Sequence, residues 1–238
     1  WLGALVALMR MDKPAPELWT KADMKDWDER RALLDGLVVR DYVLKLPDSS
    51  FSGEVEYVFK HNLERERIAQ LTSGAAARRY HQTTADWLAQ KDGVRSQEEY
   101  CAMLAQHLEK GGALARAGLT YLEAADLARA SYAAKKANEY YSKGLDLLGD
   151  SDARRRIDAL HDHGDVLTLL GKTDDALSAF REMLSLAYRL ALRAKGGAAH
   201  NRIGRLHRDT GMLSVAQQHL TTALALFEHA AERLGILH

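Results

Sequence analysis

The spacing of apolar residues changes along the chain. Residues 1–11 and 15–36 carry a helical period, punctuated by Pro14 and Pro16. The stretch Asp26-Trp-Asp-Glu-Arg-Arg-Ala-Leu-Leu-Asp-Gly36 ends on a glycine, which predicts a helix stop there. Leu37 to Leu46 is then rich in β-branched and apolar residues, Pro47 to Gly53 is a turn cluster, and Glu54 to Lys60 alternates polar with apolar. Two strands around a turn make a hairpin. From His61 to Gln90 the helical period returns, with Ile68, Leu71, Tyr80, Trp87 and Leu88 as its apolar points, and Lys91-Asp-Gly-Val interrupts it.

From about residue 98 the pattern repeats. Gly164, Gly171, Ala176 and Phe180 recur as Gly204, Gly211, Ala216 and Leu220, an offset of 40 residues. Ala125, Ala137, Tyr141 and Gly144 fit the same frame at an offset of 39, with Tyr132 where the turn glycine would stand. Leu104, Ala105, Gly112, Ala117, Tyr121 and Ala124 follow the same grammar at half spacing. Each position has a physical purpose. A small residue in the first helix (Ala125, Gly164, Gly204) lets the second approach, and a glycine seven residues on (Gly171, Gly211) supplies positive φ at the turn. A small residue five further (Ala137, Ala176, Ala216) sits at the closest crossing, and a bulky one four beyond (Tyr141, Phe180, Leu220) fills the space one turn away. This matches the tetratricopeptide grammar, lengthened from about 34 residues. The predicted fold is therefore mainly α, with an N-terminal winged-helix-like unit containing one β-hairpin, followed by an α-solenoid of tetratricopeptide-like helical hairpins. The expected boundaries are 1–61 for the winged-helix-like domain, 62–97 for a helical connector and 98–238 for the solenoid.

Composition supports this reading. No proline follows Pro47, so nothing forbids a helix interior afterwards. Lys+Arg and Asp+Glu are both 33, so no global field draws the chain to nucleic acid or to an anionic membrane. The single cysteine, Cys101, excludes an internal disulfide and fits a reducing, cytoplasmic setting. The first eleven residues are nearly all apolar, short of the roughly 20 that a membrane span needs and without the basic start of a signal peptide. With no initiator methionine, they read as a cut helix and the chain as a fragment of a larger protein.

A set of segments is similar to one class of large bacterial signalling proteins. They are Gly36-Leu-Val-x-Arg40, the run from Ser49 to His61 with its Phe-Lys-His ending, Tyr80-His81, Ala85-x-Trp87-Leu88, Leu104-Ala-x-His107 and Ala137-x3-Tyr141. In that class a STAND-type P-loop ATPase, often fused to a Ser/Thr protein kinase or nucleotide cyclase domain, precedes a winged helix and tetratricopeptide repeats. The resemblance implies a sensor and interaction region. The catalytic motifs do not carry over. Gly164-x6-Gly171-Lys172-Thr173 is two residues too long for a P-loop and falls at a helix–helix turn, and kinase signatures are absent. The chain is accordingly expected to be no enzyme and to need no cofactor, any catalytic part of the parent lying upstream of Trp1.

The remaining chemical cues weigh toward packing. His161 and His163, at i and i+2, point about 200° apart on a helix and cannot share a metal. His200 and His207 are two turns apart on framework positions. Cys101 reads as a small core residue. A DNA-binding winged helix, the alternative function, calls for a basic recognition helix, yet Lys25 to Gly36 carries Asp26, Asp28, Glu29 and Asp35 against Lys25, Arg30 and Arg31, and Arg78-Arg79 with His81 is only a small basic spot. Arg154-Arg155-Arg156 opens a helix at the end where cations are unfavourable, which calls for a partner or an acidic neighbour.

In tetratricopeptide hairpins the first helices line a concave groove. Projecting the frame places Asp126, Arg129, Asp158, His161, Asp165, Thr168, Asn201, Arg205 and Arg208 on it. The carboxylate clamp of chaperone-binding relatives is not reproduced. The expected partner is a protein or peptide, or other domains of the parent chain, with an acidic or C-terminal peptide near Arg205 and Arg208; no membrane and no nucleic acid is expected.

Overall fold

The computed structural model describes residues 31–49, 55–90 and 97–235. The helix expected over 1–11, residues 15–30 of the one expected over 15–36, most of the 47–53 turn and the 91–94 break lie outside them. Ten helices and one two-stranded antiparallel sheet make up the described residues. The chain forms two compact units, residues 1–117 and 118–238.

In the first unit, helix α1 covers 31–39 and is followed by β1 (Val43–Lys45) and β2 (Tyr57–Phe59), paired with Val43 opposite Phe59 and Lys45 opposite Tyr57. The hairpin expected from the sequence is present, but its first strand is shorter than 37–46 and the helix does not stop at Gly36. Leu34, Leu37 and Val38, spaced i, i+3, i+4, form one helical face that packs with Val43, Tyr57 and Phe59. That face outweighs the β-propensity of Val38 and Val39. The helix instead ends at Asp41, in the left-handed conformation (φ 65°), where the amide of Asp41 donates to Val38 and that of Tyr42 to Leu37.

The predicted helical stretch 61–90 contains two helices, α2 (Asn62–Leu71) and α3 (Gly74–Leu88). Ser73 separates them as the N-cap of α3, its hydroxyl accepting from Ala76. Leu71, expected as an apolar anchor, is 86% exposed, whereas Trp87 and Leu88 are buried. They pack with Tyr100, Met103 and Leu104 of α4 (Gln97–Lys110). Across the same pair His81 meets His107, Nδ1 to Nδ1 at 3.1 Å. Burial lowers both imidazoles, His107 to about 3, so both stay neutral.

Helix α5 (Leu114–Ala130) carries the boundary between the units. It is followed by α6 (Ala134–Leu148), α7 (Ala153–Leu169), α8 (Thr173–Arg189), α9 (Arg193–Asp209) and α10 (Leu213–Gly235). The helices join as hairpins α5/α6, α7/α8 and α9/α10, and the repeat frame explains why they can close. At Gly164 an added Cβ would lie 2.3 Å from Phe180 Cε1; at Gly204 it would lie 2.9 Å from Leu220 Cγ. The two glycines therefore occupy equivalent crossings 40 residues apart. In α5/α6 the close approach moves to Gly118, against the Leu148 backbone, and Gly144, against Leu122. Ala125, Ala137, Tyr141, Ala176, Phe180 and Ala216 are all buried, and one core runs from Leu122 to Leu206.

The turns obey a shorter period than the sequence suggests. Gly112, Tyr132, Gly171, Ala191 and Gly211 all have positive φ, and each closes its helix with the same pair of backbone hydrogen bonds. One turn therefore falls about every 20 residues, between hairpins (Ala191) as well as within them, and two of the five use a residue other than glycine. The junction of α6 and α7 departs from this. There Gly149 is followed by a longer link, and Asp152 caps α7 by accepting from Arg155 N at 2.9 Å.

Candidate functional site

The first helices of the three hairpins, α5, α7 and α9, are tied to one another by ion pairs. Arg155 of α7 reaches Asp126 of α5 at 2.6 Å, and Arg129 of α5 reaches Asp162 of α7 at 3.0 Å. Lys195 of α9 meets Asp158 of α7 at 2.5 Å, while Arg202 of α9 grips both oxygens of Asp165 at 2.7 and 2.9 Å. The three aspartates of α7 thus serve cations on both sides.

Tyr141 braces the first rung from the second helix. Its hydroxyl donates to Asp126 at 2.5 Å and accepts from Arg129 Nε at 3.2 Å. Burial and the bond to Asp126 raise the Tyr141 hydroxyl, which therefore remains a donor. Burial opposes ionisation of Asp162, but the hydrogen bond from His161 and the Arg129 charge win, and its carboxyl is held below the usual range.

Of the residues expected on the groove, Asp126, Arg129, Asp158 and Asp165 are these rungs. His161 Nδ1 lies 2.9 Å from Asp162 Oδ1, beside the second rung. Thr168 donates to the Gly164 carbonyl of its own helix, and Asn201 is half-buried. Arg208 turns to its neighbour Asp209 at 2.8 Å. Arg205 is exposed and makes no ion pair or hydrogen bond among the described residues. The frame projection missed the other halves of the rungs: Arg155, Asp162, Lys195 and Arg202. The signal for them was available, since Arg155 and Lys195 are one 40-residue offset apart, as are Asp162 and Arg202.

The arginine run at the start of α7 also finds its acidic neighbours. Arg155 takes Asp126, and Arg156 takes Glu182 of α8 at 2.5 Å. Nη1 of Arg156 further donates to the carbonyls of Leu145 (2.7 Å) and Gly149 (3.2 Å), closing the C-terminus of α6. A cavity of about 340 Å³ lies beside it, lined by Asp146, Asp150, Glu182, Ser185 and Arg189 among others.

The histidines fall into packed positions. His163, on the opposite side of α7 from His161, is buried against Tyr141 and bonds Asn138 at 3.0 Å; burial lowers it to about 4. His200 Nδ1 lies 2.8 Å from His219 Nδ1, and its Nε2 lies 2.8 Å from the Tyr188 hydroxyl. His207 stacks on His219. Among the described residues no group of three or more His, Cys, Asp or Glu side chains is placed to hold a metal ion. Cys101 is buried. Gly171-Lys172-Thr173 forms the turn between α7 and α8, not a loop after a strand. No helix among the described residues is long and apolar enough to cross a membrane.

No family model and no curated protein sequence matches the chain. Solved structures are similar in fold. The apo form of RapI superposes with a TM-score of 0.51 at 13% identity, covering 87% of this chain and 50% of that one. The chain therefore spans half the length of RapI. MamA gives a TM-score of 0.43 at 15% identity over 74% of this chain and 99% of its own. A Podosopora anserina putative kinesin light chain with nearly identical TPR-like repeats gives 0.42 at 13% identity over 71% and 94%. Taken with the recurring glycine crossings and turns, the fold is a mainly helical array of tetratricopeptide-like hairpins, with one small antiparallel sheet near its N-terminus.

Proposed function

We propose that the chain is the interaction and regulatory region of a larger, cytoplasmic signalling protein, a STAND-type ATPase or an associated kinase. It binds a protein or peptide, or other domains of its parent, along the first helices α5, α7 and α9. The observation that carries this reading is the rung pattern. Asp126, Arg129, Asp158, Asp162 and Asp165 are all answered by neighbouring helices, and beyond them stands Arg205, a cation without a partner among the described residues, one turn from Arg208. A partner at this end supplies carboxylates, as an acidic segment or a chain terminus does; charge-assisted bonds of this kind are the strong ones. On the same reading α1 and the β1–β2 hairpin belong to a winged-helix-like unit that relays occupancy of the repeats to the nucleotide state.

The test is partner capture by the full chain with Arg205→Glu plus Arg208→Glu. Both side chains are exposed, so the fold should be retained, as circular dichroism would confirm. Loss of capture is expected; capture equal to wild type rejects the groove.

A further inference from the structure

The step between hairpins α7/α8 and α9/α10 is closed. Gly196 of α9 lies against Leu184 and Ala187 of α8 and Leu226 of α10, each 3.7–4.0 Å from where a Cβ would stand. One step earlier, at the offsets of 39 and 40 residues that relate the hairpins, these positions are held by Arg156, Leu145, Leu148 and Leu186. That step is open. It has the longer link 149–152 between α6 and α7, and in place of a close contact it holds the cavity of about 340 Å³. Leu145 and Leu186, both buried, supply its apolar lining. The charged lining is peculiar to this step: Asp146, Arg156 and Glu182 correspond to Ser185, Gly196 and Thr222 in the next.

Arg156 and Glu182 answer each other, and Nη1 of Arg156 also donates to the carbonyls of Leu145 and Gly149. These two side chains are walls of the cavity. Three charges remain. Asp146, Asp150 and Arg189 make no ion pair or hydrogen bond among the described residues. The unmatched set is thus two negative charges and one positive around a partly apolar hollow. Its complement is two positive charges and one negative on a short hydrocarbon stem. An α-amino acid with a basic side chain carries that set, and its size suits a volume near the lower end of the roughly 300–1,000 Å³ of ligand pockets. We propose that the cavity binds a free dibasic amino acid, L-arginine or L-lysine. Its α-ammonium and side-chain cation face Asp146 and Asp150. Its carboxylate takes the Arg189 guanidinium as a bidentate pair, and its methylenes lie on Leu145 and Leu186. The ligand bridges α6 to α8 across the open step. This goes beyond the groove reading and uses neither Arg205 nor Arg208, so the two readings fail separately.

Isothermal titration calorimetry of the full chain with L-arginine and with L-lysine tests the site. Saturable binding of at least one of them is expected, with a Kd below about 1 mM. Two derivatives of the amino acid that binds dissect the contacts. The decarboxylated form, agmatine or cadaverine, loses the group for Arg189, and the Nα-acetyl form loses the α-ammonium. Each should bind about tenfold more weakly or worse, as loss of a charge-assisted bond predicts. Asp146→Asn plus Asp150→Asn should abolish binding. Arg189→Gln should weaken the amino acid to the level of its decarboxylated form and leave that form unchanged. All three side chains are exposed, and thermal melts followed by circular dichroism check that the variants fold. Arg205→Glu plus Arg208→Glu should bind the amino acid as wild type does. Failure of both amino acids to bind in this range would overturn the proposal. So would a decarboxylated form that binds as tightly as its parent, or binding that survives Asp146→Asn plus Asp150→Asn. An Nα-acetyl form that binds as tightly as its parent would identify the occupant as the basic C-terminal residue of a peptide and equally overturn it.

Discussion

Gly164→Ala tests the packing on which the array depends. The added methyl carbon would stand 2.3, 2.5 and 2.8 Å from Cε1, Cζ and Cδ1 of Phe180, where carbon atoms prefer about 3.5–4.0 Å. The ring has to retreat by more than an ångström. It is 1% exposed and belongs to the central cluster, so it has no free space to enter. Overpacking of this kind costs about 1–3 kcal/mol. Alanine returns roughly 0.5–1 kcal/mol through its better helix propensity, leaving a net loss of about 0.5–2 kcal/mol. Gly204→Ala is the internal control. Its nearest neighbours are Leu220 Cγ at 2.9 Å, on a half-buried side chain with room to shift, and the Ala216 carbonyl at 3.2 Å, so the loss there should be smaller than at Gly164. Urea unfolding of both variants, followed by far-UV circular dichroism, measures the difference. Adding Phe180→Leu to Gly164→Ala should recover part of the loss as a coupling of about 0.5–2 kcal/mol. The reasoning fails if Gly164→Ala is as stable as wild type, or if Gly204→Ala is hurt equally.

Stability should fall with acid because buried imidazoles stay neutral in the fold. His107 and His163 are lowered from 6.5 to about 3 and about 4, so this contribution is complete above pH 6.5 and declines as pH drops below it. At pH 5 each neutral ring costs about 2 kcal/mol relative to pH 7, and His163→Gln should remove about half of the combined loss in melts at the two pH values. Tyr132→Gly and Ala191→Gly should each raise the melting temperature, since left-handed backbone costs a side-chain-bearing residue about 1 kcal/mol or more and Tyr132 is 91% exposed, with little burial to lose. Ala176→Leu and Ala216→Leu, both at buried crossings, should each lose about 1–3 kcal/mol; melting like wild type would place these alanines outside the crossings.

What the sequence made legible was what a single residue decides locally. Gly171 and Gly211 mark their turns because glycine takes positive φ freely, and Gly164 and Gly204 mark crossings because only a missing Cβ admits Phe180 and Leu220. Where tertiary packing overrides that local rule, the marker misleads. Gly36 lies inside α1 because Leu34, Leu37 and Val38 have a hairpin to cover, and Ala191 holds the left-handed turn because helices on both sides fix it. The ion pairs were harder to read for another reason. Their partners stand 29, 33 and 37 residues apart, so no fixed separation announces them. The separations vary because each rung depends on the rise of its own helix and on the step between hairpins. Charge also acts on the array as a whole. Helix α7 carries three acids on this face; α9 answers two of them with Lys195 and Arg202 and α5 the third with Arg129, while Asp126 of α5 takes Arg155 of α7. The stack is therefore held by pairs of opposite charge between neighbouring first helices, of both polarities between α5 and α7 and with the acids on α7 between α7 and α9.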